Sequence, residues 1–498
     1  MRRLAFLALF TLLAACGGGS SDPANPPGSG PVTPPAGGRI ANWIAYTTGD
    51  GTYVVNRDGT RIVRLSTYPT TITRTLFGYD YDPAARRIDN LHRTALVYFD
   101  RDRFRRIDLT TTDDPAPVQI SSLTTTTEPC FSFSENEYIG LRLPGSNGNC
   151  SDPDARPFII TADMDATTAP YAGELVATVQ DENAATIRIL AINASGQLVA
   201  LDPDFGNETV LGATAVPVAA SRIGSHVNRA ALRIDNAIGV YDAVSDRLLG
   251  PFQTLDINDA IGDRITDGAG NLYYFIGPAL YRLDLTNPGT PSLLASSAGP
   301  TNILHYYNGR LYALGMNDTG GTTDLRSIDT ADGSVSILYP ANGNILASCA
   351  WSGEVHVVQQ IDPATQVGNV IRVDASGSST LLANARCLGV TWPTRMDLAT
   401  GLYFPYLAVG AMDYLTDPAN PTLGDLRAYA LPDTGTPTII ALASGAWTLA
   451  NFYLGSDTEF IGTLETATGN AIVRFTYGDP DSLRFLEDTP DTVKRLIF

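Results

Sequence analysis

The sequence predicts an all-β chain built of repeated four-stranded units, and three observations carry that prediction. From Ile40 onward no long stretch follows an amphipathic helical period; short β-rich runs alternate with Gly, Asp, Asn and Pro turns. One phrase recurs: an apolar strand, a turn, then a second strand that ends in Asp. It reads Asn271-Leu272-Tyr273-Tyr274-Phe275 before Leu280-Tyr281-Arg282-Leu283-Asp284, and again Arg310-Leu311-Tyr312-Ala313-Leu314 before Leu325-Arg326-Ser327-Ile328-Asp329. The third observation is spacing. Asp202, Asp242, Asp284, Asp329 and Asp374 follow one another at 40, 42, 45 and 45 residues. A period of about 40–45 residues in four-strand units is the mark of a β-propeller, whose blades bury their faces only against each other. The repeated Asp serves its own turn, where its carboxylate accepts backbone N–H groups just after the strand.

In chain order, Trp43-Ile44-Ala45-Tyr46 and Tyr53-Val54-Val55-Asn56 open the first unit. Arg57-Asp58-Gly59-Thr60 then turns into Ile62-Val63-Arg64-Leu65-Ser66. This stretch resembles the repeat of TolB-like, WD-repeat-like propellers. The resemblance implies a propeller body and, by analogy, a protein-binding role. The second unit holds Ala95-Leu96-Val97-Tyr98-Phe99 and Phe104-Arg105-Arg106-Ile107-Asp108; the third is irregular and contains Phe158-Ile159-Ile160-Thr161. Regular units run to Ala383, a Pro- and Asp-bearing insertion at 411–424 reads as a surface loop, and Ala471-Ile472-Val473-Arg474-Phe475 belongs to the last unit. Val493 to Phe498 is a strand left over, expected to pair into the first blade and close the ring. The expectation is a single ring of about eight four-stranded blades, rising to ten if irregular units count separately.

The amino terminus carries a different signal. Arg2 and Arg3 precede an apolar run from Leu4 to Leu13, then Ala14-Ala15-Cys16. That run is too short to span a membrane and has the form of a secretory leader. Leu13-Ala14-Ala15-Cys16 resembles the lipobox of bacterial lipoproteins. The resemblance implies cleavage before Cys16, acylation of Cys16, and, with Gly17 rather than Asp next, sorting to the outer membrane. The expected organisation is residues 1–15 as signal peptide, 16–39 as lipidated Cys and flexible Gly/Ser/Pro tether, and 40–498 as propeller. The alternative for the leader is an ordinary secreted chain. The tether buries nothing and stays extended.

Composition narrows the partners. There are 33 basic against 52 acidic residues, and loss of Arg2 and Arg3 moves the formal charge from −19 to −21. Such a chain is not a general nucleic-acid binder. After Cys16, the four cysteines Cys130, Cys150, Cys349 and Cys387 suggest two disulfides in an oxidising compartment, with local pairing preferred and buried thiols as the alternative.

No nucleophile elbow, P-loop or dinucleotide fingerprint appears. His92, His226, His305 and His356 are far apart in sequence, each expected to be a surface or packed residue unless blades bring them together. Asp152-Pro153-Asp154, Asp202-Pro203-Asp204 and Asp479-Pro480-Asp481 put paired acids in tight turns; calcium is the one cofactor they suggest, and solvated turns are the plainer reading. Arg86, Arg87, Arg93, Arg101, Arg103, Arg105 and Arg106 crowd the second unit. Together they form a candidate partner patch for a carboxylate or phosphate; the competing expectation is ion pairing with Asp89, Asp100, Asp102 and Asp108. The function expected is a non-enzymatic envelope lipoprotein, periplasmic or surface-exposed, whose propeller binds an envelope protein. The alternatives are a propeller enzyme acting on polysaccharide, as lyase or hydrolase, and a surface ligand-capture or adhesion lipoprotein.

Overall fold

In a computed structural model of the chain, all the regular structure among the described residues is β-strand. The structure describes residues 42–497 apart from short gaps, the longer ones being 69–72, 83–86, 213–217, 317–320, 392–395, 398–401, 414–421, 431–437, 443–447 and 487–492. Side chains of 73–94, and most of those after 387, also lie outside the described set. Cys16, the leader and the tether therefore fall outside the described residues.

Ten antiparallel sheets of three or four strands follow one another along the chain, with a small hairpin of Met396–Asp397 and Leu402–Tyr403 between strands of the ninth. We number them sheets 1 to 10. Sheet 1 begins at Trp43, sheet 2 at Thr73, sheet 3 at Cys130, sheet 4 at Gly173 and sheet 5 at Ala220. Sheets 6 to 10 begin at Ile261, Thr301, Ile345, Ala385 and Thr448. Within each of sheets 4 to 8, sequence order is spatial order, and the first strands of successive sheets touch.

The repeat phrase folds this way because its middle strands are buried on both faces. In Asn271–Ile276, Leu272 and Tyr274 pack back on Ile238 and Val240 of sheet 5. Tyr273 and Phe275 pack forward on Leu311 and Ile328 of sheet 7. The two-residue alternation of a strand thus feeds two seams at once, so the sequence reads as an unbroken apolar run rather than as apolar–polar alternation. Among the described residues, the fourth strands of sheets 4 to 8 have a neighbour on one edge only, and Val335–Pro340 and Gly377–Leu382 are largely exposed.

A feature without a sequence signature recurs in the first strands. Eight of them carry one extra residue against their partner strand, at 132, 176, 223, 304, 349, 388 and 450 and within the 262–263 pair. Such bulges sharpen local twist and re-aim the flanking side chains.

The irregular third unit is a sheet of its own, made of Cys130–Glu135, Tyr138–Leu143 and Arg156–Thr161. It has three strands rather than four, and the loop 144–155, rich in Gly, Asn, Ser and Asp, separates its second strand from its third, which is why it reads as irregular. Among the described residues the sheets of three or four strands number ten, against the single ring of about eight four-stranded blades expected, and one of them has three strands. The leftover carboxyl-terminal strand, Val493–Ile497, pairs antiparallel with Trp43–Thr48, aligning Ala45 with Ile497 and Tyr46 with Leu496. Sheet 10 also meets sheet 1: Ile472 and Leu486 share a cluster with Ile44, Tyr46 and Val55, and the Arg474 guanidinium donates to the Arg57 carbonyl at 3.0 Å.

Cys130 and Cys150 form a disulfide with Cα atoms 6.1 Å apart, tying the first strand of sheet 3 to the loop after its second. The second expected disulfide is corrected. Cys349 and Cys387 are buried thiols with no disulfide between them, packed with Ala350, Val357, Val370, Ala385 and Tyr429 across the seam of sheets 8 and 9. A reduced thiol fills such a seam as a small apolar side chain.

Candidate functional site

The repeated aspartates cap turns. Asp108 accepts the Thr110 N–H at 2.7 Å, Asp284 those of Thr286 and Asn287 at 2.8 and 3.1 Å, and Asp329 that of Ala331 at 2.9 Å. Asp242 accepts from Val244 N–H and Ser245 hydroxyl at 3.2 and 3.0 Å. At Asp374, the Ser376 hydroxyl and N–H hold the carboxyl below its ordinary value. Asp202 departs from the pattern; its carboxylate takes the Arg188 guanidinium at 2.6 Å and the Asn207 amide. The Asp-Pro-Asp turns use their acids in the same local way. Asp152 accepts from Asn147 and Asn149 N–H, Asp154 from Ser146 N–H, and Asp204 from Gly206 N–H. The turn at Asp479 lies largely outside the described side chains. Among the described residues no three His, Cys, Asp or Glu side chains are grouped to hold a metal ion.

In the arginine-rich second unit, Arg103 grips Asp102 through two N–H groups, at 2.7 and 2.5 Å, and reaches Gln119 at 3.3 Å. Arg105 donates to Asp100 at 2.7 Å, and Arg101 donates to the Thr67 hydroxyl. Arg106 is half-buried in the same strand. Arg86 lies outside the described residues, as do the side chains of Arg87, Arg93 and His92. Arg103 and Arg105, one face of that strand, are thus committed to carboxylates of their own sheet.

Two histidines do come together. His305 sits opposite Tyr312 in sheet 7, and Trp351 opposite His356 in sheet 8. The four rings cluster across the seam: His305 stacks on Tyr312 at 4.8 Å and on Trp351 at 5.7 Å, and the tilted His356 ring lies 5.1 Å from His305 and 4.4 Å from Tyr312. His305 is 6% exposed and His356 1%. His305 Nε2 meets the Gly353 carbonyl at 2.8 Å, whereas His305 Nδ1 and both nitrogens of His356 have no hydrogen-bond partner among the described residues. Burial pulls His305 down to about 4; burial and the His305 ring pull His356 down to about 3. Both are neutral near pH 7. His226 is elsewhere, half-buried between sheets 5 and 6, its pKa also lowered by burial against the pull of Asp267. The histidine convergence is therefore a sealed seam.

Charged side chains on the first strands of sheets 3, 5 and 6, with backbone N–H groups of sheets 4 and 7, form a line that residue types alone did not single out. Glu135, at the end of the first strand of sheet 3, is buried; its carboxylate accepts the Thr178 N–H of sheet 4 at 2.6 Å and the Arg222 guanidinium of sheet 5. Burial pushes its carboxyl up against the opposing pull of Arg222. Arg264 occupies the first strand of sheet 6, and beside it Asp263 accepts the Ile303 N–H of sheet 7 at 2.9 Å. The available signal was repeat position: Arg222 and Arg264 stand 42 residues apart, the same interval as Asp242 and Asp284.

At the outer rim, sheets 6 and 7 each expose apolar side chains on their fourth strands. Leu293 is 53% exposed, and Val335, Ile337 and Leu338 are 42%, 61% and 40%. The turn that leads into Val335–Pro340 approaches the fourth strand of sheet 6: a Cβ on Gly333 would lie 2.0 Å from the Leu294 carbonyl oxygen. Gly333 has φ +74°, so glycine serves both the turn and the contact.

No family model matches the chain, and no curated protein matches it. Among solved structures, a TolB protein from Agrobacterium tumefaciens is 12% identical, covering 53% of this chain and 86% of its own, with a TM-score of 0.27. An oligogalacturonate lyase in complex with manganese is 9% identical, covering 87% and 96%, with a TM-score of 0.34. A eukaryotic initiation factor is 12% identical, covering 80% and 95%, with a TM-score of 0.44. Overlaps of this size carry no argument about function.

Proposed function

We propose that the chain is an outer-membrane-anchored envelope lipoprotein whose ten sheets form one propeller ring, latched by Val493–Ile497, that serves as a protein-binding scaffold. The observation that carries this reading is the apolar rim of sheets 6 and 7. An outer strand with an unpaired edge and Ile337 at 61% exposure is a surface that soluble proteins ordinarily cover. Its backbone edge fits an extended segment of a partner, held by main-chain hydrogen bonds with Val335 and Ile337 supplying apolar contact. The use of the repeat aspartates on their own turns supports a rigid binding body over an acid–base enzyme. The lipobox supports the anchor, and calcium has no role in this reading. The test is cross-linking in native cells followed by purification of the full chain, its Ile337→Glu variant and an unanchored Cys16→Ala version. Capture of one envelope protein by the wild type, reduced by Ile337→Glu, supports the reading; equal capture by both overturns the rim assignment. Absence of acyl-chain labelling at Cys16 overturns the anchor.

A further inference from the structure

Arg222 and Arg264 occupy equivalent places in neighbouring sheets. Arg222 pairs with Leu232 and Arg264 with Tyr274, each on a first strand and each beside the recurrent bulge. The first strands of sheets 5 and 6 touch, and a Cβ on Gly224 would come 2.6 Å from Leu272 and 3.0 Å from the Thr266 hydroxyl, so the two strands run side by side here. The matching position in sheet 4 is Leu175, buried in the seam with sheet 3, and in sheet 7 it is Ile303, packed in the seam with sheet 6. Two guanidiniums thus stand where neighbouring repeats place apolar groups.

Their counter-charges are unequal. Arg222 has Glu135, which spends its second oxygen on the Thr178 N–H. Among the described residues Arg264 has no hydrogen-bond partner, and the adjacent Asp263 carboxylate is turned to the Ile303 N–H. Arg264 is exposed to solvent, so its N–H donors are open to a ligand. Even so, surrounding protein and the nearby Arg222 charge pull its guanidinium below its ordinary pKa. An oxyanion between the two side chains would relieve that repulsion and meet the planar N–H fork of Arg264 in the two-point geometry guanidinium favours.

We propose that Arg264, backed by Arg222, is an oxyanion-binding site on the first strands of sheets 5 and 6, taking the carboxylate or phosphate group of a ligand. It is independent of the rim and of any partner bound there. The experiment uses the purified full chain, with inorganic phosphate, sodium glucuronate and uncharged glucose as probes, at constant ionic strength set with chloride. Binding to the native state raises Tm by mass action, and titration to about 20 mM detects a dissociation constant near 1 mM. The expected result is a saturable rise with phosphate, glucuronate or both, none with glucose, and loss of affinity by about tenfold or more in Arg264→Gln. Arg264→Lys keeps the charge without the fork and should fall between the two. The phosphate and glucuronate arms identify which oxyanion the site prefers. Equal rises in wild type and Arg264→Gln, a glucose rise matching glucuronate, or no rise with either anion would overturn the proposal. Arg264→Gln lies at a solvent-exposed position and should retain the wild-type far-ultraviolet circular dichroism, which separates lost binding from lost fold.

Discussion

Acidification should open the seam between sheets 7 and 8, because two buried neutral histidines face each other there. An unfolded histidine titrates near 6.5, whereas His305 and His356 in the fold titrate near 4 and 3. Below pH 6.5 the unfolded chain therefore binds protons that the folded chain does not. The stability these two groups contribute is complete above pH 6.5. It is lost as pH falls through the window down to about 4 for His305 and about 3 for His356. Between pH 7 and pH 5 the loss amounts to about 2 kcal/mol per histidine, or roughly 4 kcal/mol for the pair. The faces packed around them offer little counter-charge. His305 meets Tyr312, Trp351 and the Gly353 carbonyl; His356 meets Tyr312 and His305; Glu354 and Arg310 act on Tyr312 with opposite sign. The assay is urea unfolding at pH 7 and pH 5 of wild type, His305→Phe and His356→Phe, which keep a ring but do not titrate. Each variant should lose about 2 kcal/mol less than wild type between the two pH values, whatever its stability at pH 7. If all three lose the same amount, the two imidazoles are not buried neutral and the reasoning fails.

Other outcomes follow from the same contacts. Removal of residues 493–498 leaves Trp43–Thr48 with an unpaired edge and should abolish cooperative thermal unfolding; a soluble truncated chain with the wild-type transition would refute the latch. Tyr274→Ala empties the seam of sheets 5 and 6 and should cost about 3–5 kcal/mol in urea unfolding. Asp242→Ala removes a buried acceptor from Val244 N–H and Ser245 and should cost about 1–3 kcal/mol, also read by urea. Gly333→Val imposes both an unfavourable φ and a clash with Leu294; it should destabilise the chain more than Gly343→Val, whose φ is also positive but whose Cβ has nothing within 4 Å.

Residue order alone was enough to read the part of the molecule governed by local interactions. The Asp at each strand end was legible because its hydrogen bonds run to N–H groups two or three residues away, as at Asp284 and Asp329. The middle strands were legible because burial on both faces demands continuous apolar runs such as Leu272 to Phe275. The Cys130–Cys150 bridge spans a separation of 20 residues and joins a strand of sheet 3 to a loop of the same unit, so nearness in sequence served as a guide. What meets across a seam depends instead on how distant sheets pack. Cys349 and Cys387 share an apolar cluster as thiols, His305 finds His356 across the same kind of boundary, and Arg222 and Arg264 become neighbours from separate repeats. These meetings escape the sequence pattern because of the extra residue in the first strands. A bulge shifts the side-chain alternation by one place, and it leaves no mark in composition or period; which face a residue such as Cys349 or Arg264 takes is set by that shift and by the twist between sheets.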